Sequence, residues 1–280
     1  MKRHQFIQAC WYTINCLLIV SFAAVLYGVG WEFSTRSFLK GFSDAIIPAS
    51  DSGEQKAEAI LIWIANGPAR RVAIDPAALS QRNPDDTLNF QQLLQVCGTA
   101  TNAFVNLAES AGLRSRRLLL LDQNRRSKHV VAEILVGDRW IVVDPAYHTV
   151  FRKLDGQLVT QSDLRNPQTF REVTQVIPNY PQEYTYESTA HVRVSRIPIV
   201  GRYMRRILNF IWPSWEESIN WNLLLERDSF AMLTVSLVVF CFVVAARFLF
   251  GWYCSRRLGI PRLRWRDRIV RVSQVLSGNL

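Results

Sequence analysis

Cysteine and histidine are scarce here: the 280 residues hold five cysteines and four histidines. Cys10, Cys16, Cys241 and Cys254 lie in or beside long apolar runs, so residues 31–228 keep a single cysteine, Cys97. The middle of the chain therefore has no pair for a disulfide framework and no C-x-x-C spacing for a metal. His148 and His191 are scattered in the manner of ordinary surface or core histidines rather than ligands, and no metal or cofactor is expected. There is no Walker loop, no G-x-S-x-G elbow, no internal repeat and no low-complexity tract, which sets aside phosphate-loop, serine-elbow and solenoid readings. A basic face is missing too. The net charge of +10 divides into +2 for residues 1–5, +1 for residues 31–228 and +7 for residues 247–280, so no domain carries the electrostatic footprint of a nucleic-acid binder.

What is present in excess is apolar sequence, at 49% of the chain. Phe6 to Val29 carries no charge and has Trp11, Tyr12, Tyr27 and Trp31 near its ends. More than twenty such residues suit a hydrocarbon core of about 30 Å, with aromatics at the interfaces. No clear A-x-A site follows, so an uncleaved anchor is expected rather than a signal peptide. Ser229 to Ala246 is a second charge-free run, extended by Phe248 to Tyr253, with Arg247 placed to snorkel toward headgroups. The expected organisation is a tail at 1–5, a transmembrane helix at 6–30 and a domain at 31–198. A juxtamembrane segment at 199–228, a second transmembrane helix at 229–254 and a basic tail at 255–280 complete it. Arginines 202, 205 and 206 alternate with aromatic and aliphatic residues in the juxtamembrane segment, which fits either helices lying at the bilayer interface or a helix packed on the domain. Basic tails around a near-neutral middle put both termini in the cytoplasm and the domain outside the plasma (inner) membrane, in a bacterial setting.

Within the domain, Ser52-Gly53-Glu54-Gln55 reads as a capping box, followed by Ala57, Ile60, Leu61 and Ile64 on one helix face, with Asn66-Gly67-Pro68 as the stop. Residues 32–50 read as a mixed linker. Arg70 to Asn89 reads as loop, with Asp75-Pro76 and Asn83-Pro84-Asp85-Asp86 as turns. Cys97 stands at the front of a helical pattern through Ala100, Phe104, Leu107 and Ala108, with Gly112 as its end. A thiol on the first turn feels the positive end of the helix dipole and is drawn toward thiolate. His129 opens the apolar run Val130 to Val136, Gly137-Asp138 is a two-residue hairpin turn, and Trp140 to Val143 returns to Asp144-Pro145. Pairing centred on that turn puts residue 131 opposite 144, which makes His129 and Asp144 near-diagonal neighbours. Thiol, imidazole and carboxylate are the parts of an activated nucleophile. A pairing of Cys97 with His148 is the runner-up.

Four segments in order, Cys97-Gly98, Gly112-Leu113-Arg114-Ser115-Arg116, His129-Val130-Val131-Ala132-Glu133 and Trp140-Ile141-Val142-Val143-Asp144-Pro145, resemble the transglutaminase-like superfamily, relatives of papain-type cysteine peptidases. The sequence departs from the family pattern at Val131, where an aromatic is usual, and in lacking a proline before Arg116. The resemblance implies an α+β fold, with a nucleophile helix packed on an antiparallel sheet and flanked here by two transmembrane helices. It also implies catalytic roles for Cys97, His129 and Asp144, with Arg116, Glu133 and Trp140 in support. Gln91, Gln92 and Gln95 precede Cys97 as candidate oxyanion donors beside its backbone N–H. The arginines around residues 114–126 and Lys128 read as a solvated face. The expected activity is attack on amide bonds through an acyl-enzyme, giving a peptidase or amidase with water and a transglutaminase with an amine. Partners would be the lipid bilayer, a protein or peptide substrate and envelope or polysaccharide-assembly proteins. The alternative is a non-catalytic, membrane-anchored interaction module on the same fold.

Overall fold

Helix α1 runs from Lys2 to Ile46 in the structure, a computed structural model that describes residues 2–48, 52–68, 70–73, 75–192, 207, 210–212 and 221–258. The linker expected over residues 32–50 is therefore helical as far as Ile46. The first proline after the apolar run is Pro48, and Glu32–Arg36 (2.7 Å) and Lys40–Asp44 are ion pairs at i,i+4 that favour helix. Contacts divide the chain into two units, residues 30–232 and residues 1–29 with 233–280. In the first unit the last turns of α1 join the core: Leu39 is fully buried, with Phe38, Phe42 and Ile46 packed beside it.

Helix α2 (Gly53–Asn66) starts at the expected capping box. Gln55 N–H donates to Ser52 Oγ, and Ser52 N–H donates to Gln55 Oε1 at 2.8 Å. Its buried face is Ala57, Ile60, Leu61 and Ile64, as the periodicity predicts. The loop expected through residue 89 is not all loop. Asn83-Pro84-Asp85-Asp86 opens helix α3 (Pro84–Asn89), with Asn83 Oδ1 accepting from Asp85 N–H. The same residue types serve a turn and a helix start, and the cap decided for the helix. Helix α4 (Gln91–Leu94) is a single turn before α5 (Cys97–Ser110).

Every residue of α5 from Thr99 to Ala108 is buried, so this helix is the middle of the domain. It lies on a five-stranded antiparallel sheet made of β1 (Ser115–Leu121), β2 (Ser127–Val136), β3 (Arg139–Asp144), β4 (Thr149–Val150) and β5 (Thr189–Ala190). The order across the sheet is β4-β3-β2-β1-β5. Ala132, Ile134, Ile141 and Val143 point to one face and cluster with Phe104 and Leu107 of α5 and Ile60 of α2. Leu118, Leu120, Val131 and Val142 point to the other face. There they meet Leu164 of α6 (Gln161–Leu164) and Phe170 and Val173 of α7 (Pro167–Thr174). Burying a side chain such as Phe104 contributes about 1.5–3 kcal/mol, and removing it would cost about 3–5 kcal/mol. This is the expected α+β architecture, a helix on an antiparallel sheet.

Of the segment expected as juxtamembrane, residues 199–206, 208–209 and 213–220 lie outside the described residues, as does the basic tail beyond residue 258. Its end, helix α8 (Trp221–Glu226), packs on the domain rather than apart from it. Asn102 Nδ2 donates to Glu226 O at 2.9 Å, and Arg82 Nη2 donates to Leu224 O at 3.3 Å. Arg227 follows, 3% exposed. Its guanidinium meets Asn106 Oδ1 of α5 at 2.7 Å and Glu32 Oε1 of α1 at 3.0 Å. Ser229 Oγ donates to the other oxygen of Glu32 at 2.7 Å.

Helix α9 (Asp228–Arg257) and the first part of α1 form the second unit. Trp11 pairs with Phe250, Phe22 with Phe240, and Gly28 touches Leu233. Partners descend in α9 as they ascend in α1, so the two helices are antiparallel. Both are long and apolar enough to cross a membrane. Arg247 donates from Nε to Asn15 Oδ1 at 2.9 Å and lies 5.0 Å from the centroid of Trp11.

Candidate active site

Cys97 is the first residue of α5, where backbone N–H groups have no partner within the helix. The imidazole of His129 and the backbone N–H groups of Val130 and Gly98 all act on its sulfur in favour of the thiolate. The hydrogen bond from His129 pulls the thiol below its ordinary value, outweighing the burial that would raise it.

His129 reaches the helix tip because β2 carries an irregularity there. The register runs Leu120↔His129 and then Leu121↔Ser127, leaving Lys128 as an extra residue. A bulge of this kind re-aims the neighbouring side chains. On the other side, Ala132 pairs with Val143, the register expected from the Gly137-Asp138 turn, and Gly137 takes the positive φ (63°) that this turn needs. His129 Nε2 is then 2.7 Å from Asp144 Oδ2, and both residues are buried. With Nε2 committed to the carboxylate, Nδ1 is the nitrogen left for the sulfur. Burial opposes charge on the ring, but Asp144 and Cys97 together raise it to about 9. The same pairing thus favours charge on both groups, raising the imidazole and lowering the thiol.

Asp144 is wholly buried and fully engaged. Its Oδ1 accepts from the N–H groups of Ala146 (3.0 Å) and Tyr147 (3.3 Å), and its Oδ2 accepts from the Tyr180 hydroxyl at 3.1 Å as well as from His129. Tyr184 stacks on the His129 ring, centroids 4.3 Å apart and planes 5° from parallel. Neither tyrosine has a local sequence signal; a cluster of tyrosines at 180, 184 and 186 was the one cue available.

The supporting residues also gather. Glu133 is 1% exposed and accepts from Arg116 Nε at 2.7 Å and from His191 Nε2 at 2.9 Å, both on Oε2. Burial would raise this carboxyl, but the His191 hydrogen bond and the Arg116 charge hold it below its usual range. Arg116 in turn lies 4.0 Å from the centroid of Trp140. Arg116 and Arg117, expected on a solvated face, are instead paired inward, Arg117 with Glu226.

A cavity of about 350 Å³ opens beside the sulfur. Cys97, Val130 and Lys128 line it together with Arg117, His191 and Trp221. The three glutamines do not line it. Gln92 is spent on both backbone groups of Ala73, Gln91 Oε1 accepts from Arg70 at 3.4 Å, and Gln95 is exposed. The pairing of Cys97 with His148 is not formed either, since His148 is exposed and His129 holds the sulfur. Among the described residues no three histidines, cysteines or carboxylates come together as a metal site.

Residues 40–145 match the family model described as the transglutaminase-like superfamily. No curated protein and no solved structure matches the chain. The matched span contains Cys97, His129 and Asp144 and stops short of Tyr180, Tyr184, His191 and α8. Cysteine enzymes are common in this superfamily. Over residues 40–145, then, it is the transglutaminase-like superfamily that this chain resembles.

Proposed function

We propose that the domain is a thiol enzyme acting on amide bonds through an acyl-enzyme. The Cys97 thiolate attacks the carbonyl carbon, with the Cys97 N–H, free at the helix start, positioned to receive the developing oxyanion. His129 protonates the departing amine, and Asp144 holds the ring in the tautomer that allows this. Water as acceptor gives hydrolysis and an amine gives transamidation. The observation that carries the reading is that the Cys97 thiol is held down by His129, whose Nε2 is 2.7 Å from Asp144 Oδ2, at the wall of a cavity.

The protein acts, on this reading, as a two-pass membrane protein of a bacterial inner membrane, with both termini cytoplasmic, the domain outside and a protein or peptide as substrate. The antiparallel packing of α1 on α9 supports a shared side for the termini, and the basic residues beyond Tyr253 support the cytoplasm as that side.

The test is the rate of Cys97 alkylation by iodoacetamide between pH 5 and 8. The wild type should react well below the pH at which a free thiol ionises, about 8.5. His129→Ala should lose that advantage. A rate that follows an ordinary thiol titration in both proteins would leave a binding module for envelope or polysaccharide assembly as the reading.

A further inference from the structure

His191 has no part in the sulfur–imidazole–carboxylate row, yet it lines the same cavity as Cys97. It is the residue after β5, which adds to the free edge of β1, so the sheet itself carries it there. Its Nε2 is 2.9 Å from Glu133 Oε2. Glu133 is a buried carboxylate already paired with Arg116 at 2.7 Å, so its charge is balanced without the histidine. The arrangement instead fixes the histidine. Nε2–H is committed to Glu133, so Nδ1 is the nitrogen able to accept a proton. The side chain is 15% exposed, and the cavity borders it. The site thus holds two imidazoles, each steadied by its own buried carboxylate.

We propose that His191 is a catalytic base for the acyl acceptor, with the acceptor, an amine or water, bound at the His191 end of the cavity. This rests on the acyl-enzyme reading of Cys97. In the step assigned to it, the acceptor's nitrogen or oxygen forms a bond to the acyl carbon and its proton passes to His191 Nδ1. The carbon–sulfur bond breaks and returns the Cys97 thiolate. The proton then leaves His191 for solvent, and neutral His129 takes back from solvent the proton it gave to the departing amine. His129 is left to serve acylation, so the two half-reactions draw on different histidines.

The full chain in detergent or nanodiscs, with p-nitrophenyl acetate as probe, separates them. The burst of nitrophenolate reports acylation, and the steady rate that follows reports deacylation to water or to added glycine methyl ester. In His191→Gln the burst rate should stay within about twofold of wild type while deacylation falls about 10²-fold or more. If His191→Gln does not fold, His191→Asn, which keeps a donor for Glu133, is measured instead, and added imidazole should speed its deacylation. Deacylation unchanged, or acylation and deacylation reduced together, overturns the proposal and leaves the Cys97 reading standing. Absence from the wild type of any burst that Cys97→Ala removes overturns both.

Discussion

Tyr184 lies flat on His129, 4.3 Å from ring centre to ring centre and 5° from parallel. One face of the imidazole is thereby closed to water, and the tyrosine's π face is turned to a ring that carries positive charge at neutral pH. A cation over an aromatic face gains about 0.5–2 kcal/mol.

Tyr184→Ala removes that contact and makes the imidazolium easier to deprotonate. The Cys97 thiolate, which depends on the imidazolium, becomes scarcer. Alkylation of Cys97 at pH 6 should slow by about 2- to 30-fold. The melting temperature should change little, since Tyr184 is only half-buried. An unchanged alkylation rate would reduce the stack to packing.

His129 should titrate near 9, above the ordinary histidine value of 6.5. The sign follows from its partners, because Asp144 and the Cys97 thiolate both favour the charged ring. In wild type the imidazolium should be present at pH 7 and lost as the pH passes through about 9. Cys97→Ala deletes one of those partners, and the ring should then titrate lower by about one unit or more. Histidine ring NMR measures both values directly, and identical values in the two proteins would contradict the sulfur–imidazole contact.

Arg227 and Glu32 form a buried ion pair at 3.0 Å, 3% exposed on each side, with Asn106 of the nucleophile helix on the same guanidinium. Removing one partner strands the other charge in the interior. Arg227→Met alone should destabilise the domain by about 3–5 kcal/mol. The double change Arg227→Met with Glu32→Leu should recover most of the loss, as read from denaturant unfolding.

Gly28 sits where α1 meets α9 most closely; a β-carbon there would lie 2.9 Å from the Leu233 Cα. Small residues allow such contact between apolar helices. Gly28→Leu should therefore weaken their pairing while leaving Cys97 alkylation within about twofold, because residue 28 lies outside the unit that holds the site. Crosslinking between cysteines placed on α1 and α9 would follow the pairing.

Cys97, His129 and Asp144 were legible from sequence because they fall within 48 consecutive residues. A helix start fixes the first, and a two-residue turn fixes the register of the other two. Tyr180 and His191 were not legible. They reach Asp144 and Glu133 across 36 and 58 positions, along a path with no sequence period to follow. The helical extension to Ile46 was missed for a different reason. Charged residues at 32, 36, 40 and 44 break the apolar pattern, and their pairing at i,i+4, which makes them good helix, is visible only as geometry. Residues 83–86 failed as a turn because an asparagine cap and a following proline fit a helix start equally well. The glutamines before Cys97 were plausible by position alone, and only the structure reveals that Gln92 is tied to Ala73.

The outermost strands of the sheet, Thr149–Val150 and Thr189–Ala190, are two residues each. A rim so brief offers an incoming extended chain almost no row of unpaired amides and carbonyls to zip onto. Neighbouring copies crowded together thus have little means of fusing into a continuous ribbon.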